Sequence, residues 1–335
     1  MSAARTISPA DMPANLPAAW RGAVVAIGNF DGVHRGHQAV LAAARAHAEH
    51  RGVPCLMLTF EPHPRAFFSG RDVFRLTPPP LKAALAAALG MDGTLVLPFD
   101  AGLAGMSAED FVGDVLVAKL AVAAVVTGYD FHFGQGRRGT PAFLQREGAL
   151  RGFSVTIVEG FVEGSEAVSS TAIRAALAGA EIAAANALLG WQFSLAATVE
   201  HGQARGRELG YPTTNMALPP AAELAAGIYA VRYSRPDGSL HEGVASYGRR
   251  PTFDDGRPLF ETFLFDFSGD LYGERALVSL VGYIRPEERF DSAAALVARM
   301  DQDALEARAL LERIPPGDLD VSLYKTWPAM ADQSA

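Results

Sequence analysis

Cysteine is nearly absent from this chain: Cys55 is the one example in 335 residues, so no disulfide can form within it. That excludes a disulfide-stapled scaffold and makes a reducing cytoplasm the expected compartment. Apolar runs long enough to span a membrane, about 18 residues, are missing too. The first twenty residues carry three prolines and no apolar stretch, so they do not read as a secretory signal. Basic charge is short: 29 Lys and Arg against 37 Asp and Glu leave a net charge of −8. A nucleic-acid backbone asks for the opposite balance and is not an expected partner, although nucleotides need only a local patch. Internal repeats and low-complexity tracts are not found. What remains is an ordinary globular composition, 49% hydrophobic and 20% charged, over a length that predicts about two domains.

The stretch Ala23–Leu41, AVVAIGNFDGVHRGHQAVL, organises the rest. Ala23–Ile27 is a short apolar run rich in β-branched residues, as a parallel strand buried on both faces requires. Gly28, Asn29, Phe30, Asp31 and Gly32 turn the chain, and a helical pattern begins near Arg35. Strand, turn and helix start together make a pocket for anions. The first N–H groups of a helix have no partner within it, and the dipole there favours phosphate. His34 and His37 are three apart, so in a first turn their imidazoles share a face, and Gly36 leaves room for a nucleotide. Nucleotidyl transfer suits this arrangement, because attack on an α-phosphate builds charge that imidazoles can meet.

Strands are expected at Val53–Phe60, Thr94–Phe99, Val122–Thr127 and Ser154–Val158. Helices are expected at Gly36–His50 and Leu81–Leu89, with another capped by Ser107 and running to about Lys119. This alternation across residues 23–189 predicts a doubly wound, Rossmann-like parallel sheet. Such sheets bind ligands at the carboxyl ends of their strands. Polar loops follow there: Thr59-Phe60-Glu61-Pro62-His63-Pro64 with Arg65 next, and Gly128–Gly139 with four glycines and two arginines. Ser169, Ser170 and Thr171 then open a helix, with Arg174 one turn in, as a cap that can also hold phosphate.

The pattern changes near Leu189-Gly190-Trp191. Strands now follow one another through turns, at Phe193–Glu200, Ile228–Ser234, Leu240–Tyr247, Phe260–Phe267 and Ala276–Ile284. That spacing predicts a small antiparallel barrel or sandwich, closed by an amphipathic helix over Ser292–Leu311 and followed, after Pro315, by a loose tail. The segment from Gly202 to Gly210 is glycine-rich and basic, and Gly206 and Arg207 could cradle phosphate through backbone N–H groups. It lacks the G-K-[ST] of a Walker loop. Thr213 and Asn215 offer oxygen ligands of the kind Mg²⁺ accepts. Alternation puts Glu261 on one face with Phe263, Phe265 and Phe267, where a carboxylate sits at a rim or acts as a base.

The string GNFDGVHRGHQ resembles the H-x-G-H nucleotidylyltransferases, and more specifically the bacterial bifunctional riboflavin kinase/FMN adenylyltransferase (FAD synthetase) family. The resemblance continues through T-F-x-P-H-P, G-x-D-F-x-F-G, S-S-T-x-I-R and G-x-x-R-G-R-x-L-G-x-P-T-x-N, and covers roughly residues 20–312. It implies an α/β plus β architecture: a Rossmann-like adenylyltransferase domain at 15–187 and a riboflavin kinase domain at 188–320, a small antiparallel β-barrel with a terminal helix. Riboflavin would be phosphorylated by ATP to FMN, and FMN adenylylated to FAD with release of pyrophosphate, with Mg²⁺ at both sites. His34, His37 and Glu261 become the catalytic residues, Glu261 as the base on the riboflavin hydroxyl. Gly28, Phe30, Asp31, Gly36, Ser170, Thr171, Arg174, Gly206 and Arg207 become nucleotide-binding. His63, Pro64, Arg65, Asp130 and Phe133 become flavin-binding, and Thr213 and Asn215 hold metal. A monomer and a homo-oligomer are both compatible with it. One departure is Ser246-Tyr247-Gly248 where the family commonly has N-I-G. Two alternatives stay open on the residues alone: another adenylyl- or cytidylyltransferase with an unrelated second module, and a flavin-binding protein without catalysis.

Overall fold

The computed structural model describes residues 3–7, 9, 11–163, 166–200, 211–219, 221–249 and 258–331. The chain divides into two compact units, Met1–Val73 with Lys82–Ser169, and Phe74–Leu81 with Ser170–Ala335.

The first unit is built on β1 (Ala3–Thr6), β2 (Val24–Ile27), β3 (Cys55–Glu61), β4 (Gly93–Pro98), β5 (Ala124–Gly128) and β6 (Ser154–Val158). All pair in parallel, in the order β1-β4-β3-β2-β5-β6. The four residues of β2 are all buried, as expected of a strand covered on both faces. Helices α1 (Arg35–Arg51), α2 (Pro64–Ser69), α3 (Pro79–Ala88), α4 (residues 108–119) and α5 (Pro141–Arg151) connect the strands. Their ends carry the expected chemistry: Ser107 and Thr140 accept N–H groups at the starts of α4 and α5, and Gly52 closes α1 in the left-handed conformation. From Phe111, α4 is wound as a π-helix. The chain leaves β2 toward β3 and β4 and later returns to its other side with β5. The strand order therefore reverses between β2 and β5, and the ends of these strands form the crevice where such sheets bind ligands. The edge strand β1 was not expected from the sequence, and neither was the small hairpin β7 (Val162–Glu163) with β8 (Glu166–Ala167).

The second unit opens with α6 (Ser170–Ala178) and α7 (Ile182–Leu189). A closed antiparallel barrel follows: β9 (Ser194–Glu200), β10 (Thr213–Ala217), β11 (Gly227–Ser234), β12 (Leu240–Arg249), β13 (Pro258–Leu264) and β14 (Arg275–Arg285), ordered β10-β13-β12-β11-β14-β9. Helices α8 (Ala293–Arg313) and α9 (Asp318–Ala331) complete it. α6 and α7 are fastened within this unit: Asn186 donates to the Leu280 carbonyl at 2.9 Å and accepts from Phe193 N–H at 2.8 Å, while Ala225 N–H donates to the Leu177 carbonyl at 3.1 Å.

Three points differ from expectation here. A further barrel strand was not among those expected: Thr213–Ala217 is strand β10, paired to β13. The strand through Phe260 ends at Leu264, because Asp266 adopts φ +54 and breaks the alternation before Phe267. The tail after Pro315 is not loose but forms α9, with Leu323, Tyr324 and Trp327 buried. A polar network, invisible as a period in the sequence, holds it. Asp320 accepts from Gln192 N–H at 2.7 Å and from Gly317 N–H at 2.9 Å, and Tyr324 donates to Ser279 at 3.1 Å. The buried guanidinium of Arg232 closes the end of α8, donating to the Leu311 and Ile314 carbonyls at 2.8 Å each. Trp327→Ala is expected to destabilise the protein by about 3–5 kcal/mol, the usual cost of emptying such a site. Urea unfolding measures it, and a variant as stable as the parent would mean that α9 does not support the barrel.

Candidate active site

In the first unit the strand-turn-helix stretch forms as its composition requires. His34 is the N-cap of α1, and its Nδ1 accepts the backbone N–H of His37 at 3.3 Å. With Nδ1 as the acceptor, the neutral His34 ring carries its proton on Nε2. The two imidazoles are stacked, with centroids 3.6 Å apart and planes 15° apart, and Phe30 lies edge-on to His37 at 5.3 Å. Gly36 serves the pair directly: a Cβ there would lie 3.3 Å from the His34 ring. Gly28 likewise gives space to Phe30, whose ring would be 3.2 Å from an added Cβ. Asp31 is buried in the same turn.

Burial decides the protonation of both histidines. It pushes His34 down to about 4, against the opposing pull of the Asp31 and Asp130 carboxylates. Burial again, followed by the neighbouring His34 and the Lys82 ammonium, holds His37 well below the ordinary histidine range. The pair therefore acts at neutral pH as uncharged hydrogen-bond donors above a helix N-terminus, not as two cations. There is a consequence for stability. Between the ordinary value near 6.5 and about 4, the unfolded chain binds a proton that folded His34 refuses, so stability falls as pH is lowered through that window. On lowering the pH from 7 to about 4.5, His34 alone is expected to account for a loss on the order of 2–3 kcal/mol. Urea titrations at both pH values should show His34→Asn losing less than the parent by this margin. Equal losses would contradict the assignment.

Beside the histidine turn lies a cavity of about 980 Å³. One wall is the cluster Phe60, Phe67, Phe68 and Phe99, and another is Phe111, Phe131 and Phe133. His63, Arg65 and Arg137 add polar and charged groups, Pro64 lies between the first two, and Asn29 joins the cavity to the histidine turn. His63 caps α2, its Nδ1 accepting Arg65 N–H at 3.1 Å. Of the residues expected to bind flavin, His63, Pro64, Arg65 and Phe133 are brought together here. Asp130 does not line the cavity; it is exposed, and its charge acts on His34. Sequence reasoning missed Phe67, Phe68, Phe99 and Phe111, which belong to no motif, whereas Phe60 and Phe131 lie within T-F-x-P-H-P and G-x-D-F-x-F-G; it also missed Lys82.

Ser170, Thr171 and Arg174 belong to the second unit. The Arg174 guanidinium donates to the Phe74 carbonyl at 2.8 Å and to the Ser170 carbonyl at 3.2 Å. Gly206 and Arg207 lie outside the described residues. On the barrel, register aligns the remaining residues. Asn215 is opposite Glu261, and Glu261 is opposite Ser246, so three polar side chains form one row across β10, β13 and β12. Directly opposed Cβ atoms lie about 4.5–5.5 Å apart. Phe260, Thr262 and Leu264 point into the barrel and are buried, which leaves half-buried Glu261 on the outer face with Phe263. Thr213 is two residues from Asn215 on the same side of β10. Phe263 touches Tyr211 at 4.7 Å, and the Tyr211 hydroxyl donates to Asp301 of α8. Serine in the place of the family's asparagine thus stands directly beside Glu261.

A family model described as FAD synthetase matches residues 16–172, and one described as riboflavin kinase matches residues 189–311. The bifunctional riboflavin kinase/FMN adenylyltransferase of Pseudomonas fluorescens is 42% identical over 297 residues, covering 88% of this chain and 95% of that protein. The chain belongs to this family. Its Escherichia coli (strain K12) member is 40% identical over 288 residues, with 86% and 92% of the two chains covered. The member from Listeria monocytogenes is 38% identical over 295 residues, covering 87% and 93%. The family fold also matches a crystal structure described as a macrolide-efflux protein from Streptococcus pneumoniae, with a TM-score of 0.79 and 28% identity, covering 91% of this chain and 98% of that one. Efflux is the name of that protein; among the described residues here, no helix is long and apolar enough to cross a membrane.

Proposed function

We propose that this chain carries out the family's two reactions in two separate places: riboflavin is phosphorylated by ATP at the barrel, and the resulting FMN is adenylylated at the parallel sheet. The observation that carries the reading is the stacked pair of neutral histidines at the N-terminus of α1, with Asn29 of the same turn lining a cavity walled by phenylalanines. In the second reaction an FMN phosphate oxygen attacks the α-phosphorus of ATP and pyrophosphate leaves. The charge that grows on the α-phosphate is met by His34, His37 and the positive end of the α1 dipole, already oriented and shielded from water. Gly28, Phe30, Asp31 and Gly36 shape the nucleotide side; Ser170, Thr171 and Arg174 are proposed as nucleotide-binding on the S-S-T-x-I-R resemblance. The flat isoalloxazine ring occupies the aromatic cavity, with His63, Pro64, Arg65 and Phe133 among its contacts; Asp130, outside the cavity lining, is proposed as flavin-binding on the G-x-D-F-x-F-G resemblance alone.

At the barrel, Glu261 takes the proton of the riboflavin 5′-hydroxyl as its oxygen attacks the γ-phosphorus of ATP, and ADP leaves. Gly206 and Arg207 are the proposed phosphate contacts there. Thr213 and Asn215 present hydroxyl and amide oxygens on one side of β10, a hard-oxygen donor set that fits Mg²⁺, which completes its shell with water and phosphate. When bound, Mg²⁺ neutralises phosphoryl charge. By sequence, the adenylyltransferase segment runs over 15–187 and the kinase over 188–320, with α6 and α7 packed in the barrel unit. The compartment proposed is the cytoplasm, consistent with a single buried Cys55 whose thiol burial pushes up to about 12. Nucleic acid is not a proposed partner. Incubation with riboflavin, ATP and Mg²⁺, followed by chromatography, tests the reading: FMN should appear first and FAD after it. Failure to form either product would end it.

A further inference from the structure

Lys82 belongs to none of the motifs, yet it is only 5% exposed. An ammonium group is costly to bury unless its hydrogens are bonded. Here Nζ donates to the Asn29 carbonyl at 2.9 Å and to Thr59 Oγ1 at 3.2 Å, and the same hydroxyl donates to the Asn29 carbonyl at 3.0 Å. This places a closed triangle of bonds where β2 runs into the histidine turn. The turn needs fastening: Phe30 has φ +48 and Val33 φ +41, left-handed conformations that bulky residues hold only under constraint. Asn29 also lines the aromatic cavity, and Phe30 supports the His37 ring. Lys82 is thus bonded to the backbone atom that connects cavity and histidines.

We propose that Lys82 is a positioning residue for adenylyl transfer, fixing the Asn29 carbonyl so that the His34–His37 pair keeps its register with the flavin cavity. The proposal rests on reading the histidine pair as the adenylyl-transfer site. Its charge has a second effect, since the ammonium disfavours a proton on His37. The other groups that set this field are His34, stacked on His37, and the Asp31 and Asp130 carboxylates acting on His34.

Full-length Lys82→Met, Lys82→Arg and Thr59→Val proteins test it, with FAD formation measured from FMN and ATP across pH and riboflavin phosphorylation as the internal control. Lys82→Met should lose about 10²-fold in kcat, the scale of a small misplacement at a reacting centre, with KM for FMN and ATP little changed. Without the neighbouring positive charge His37 takes up a proton more readily, so the acid limb of the pH–rate profile should move to higher pH. Lys82→Arg, which keeps charge and donors, should recover part of the rate and leave the limb where the parent has it. Thr59→Val, which removes two bonds of the triangle and no charge, leaving only that from Lys82 to the Asn29 carbonyl, should lower kcat without moving the limb. Parental kcat and acid limb in Lys82→Met would overturn the proposal. If that variant does not fold, parental kcat in Thr59→Val overturns it instead. A parent protein that makes FMN from riboflavin but no FAD from FMN would refute the reading of the histidine site itself, a result distinct from any failure of Lys82.

Discussion

Glu261→Gln is expected to lower riboflavin phosphorylation by about 10²- to 10⁴-fold, the usual range for loss of a general base. Glutamine keeps the size of the side chain and much of its hydrogen bonding but cannot accept the hydroxyl proton. The barrel should survive the change. The residues of β13 that fill its interior are Phe260 and Thr262, while Glu261 faces outward between Asn215 and Ser246. Oxygen ligands at Thr213 and Asn215 are untouched, so ATP affinity should change little. FAD should still form when FMN is supplied, because no group of the first unit is altered. Kinase turnover close to that of the parent would demote Glu261 to a rim residue and move the search for a base to another side chain.

The second large effect is expected at the histidines. His34→Asn or His37→Asn should cost about 10²-fold or more in FAD formation, the scale seen when one donor to a developing oxyanion is removed. Asparagine is also a good helix N-cap, so His34→Asn removes the imidazole Nε2–H while the start of α1 remains capped. Riboflavin phosphorylation should continue at nearly the parental rate in both variants. A matching fall of the two activities in a folded protein would mean that the reactions share a site.

Much of this was legible because the informative residues lie in continuous stretches. The strand-turn-helix around His34 could be read from β-branched residues, glycines and a helix start; the spacing of three put the two imidazoles on one face, while their stacking, with His34 as the N-cap, was not foreseen. The alternation of β13 likewise put Glu261 on the face opposite Phe260 and Thr262. What escaped notice depends on contacts between distant segments. Phe67, Phe68, Phe99 and Phe111 join the motif residues Phe60, Phe131 and Phe133 in the cavity from separate helices and strand ends with no shared period. Lys82 sits in an alanine-rich helix and gains meaning only when β2 and β3 bring Asn29 and Thr59 to it. α9 reads as a polar tail because Asp320 and Tyr324 find their partners on Gln192 and Ser279, more than a hundred and more than forty residues away. Neutral histidines were also not readable from sequence, since enclosure rather than neighbouring residue type sets their charge.

The account stands on two reactions served by two separate sets of residues, and a single time course tests it most directly. The His37→Asn protein is given riboflavin, ATP and Mg²⁺, and the flavins are separated as the reaction proceeds. The account predicts that riboflavin is converted to FMN at about the parental rate and that FMN accumulates with little FAD. A folded variant that leaves riboflavin unphosphorylated, or that carries FMN on to FAD as fast as the parent, would contradict it.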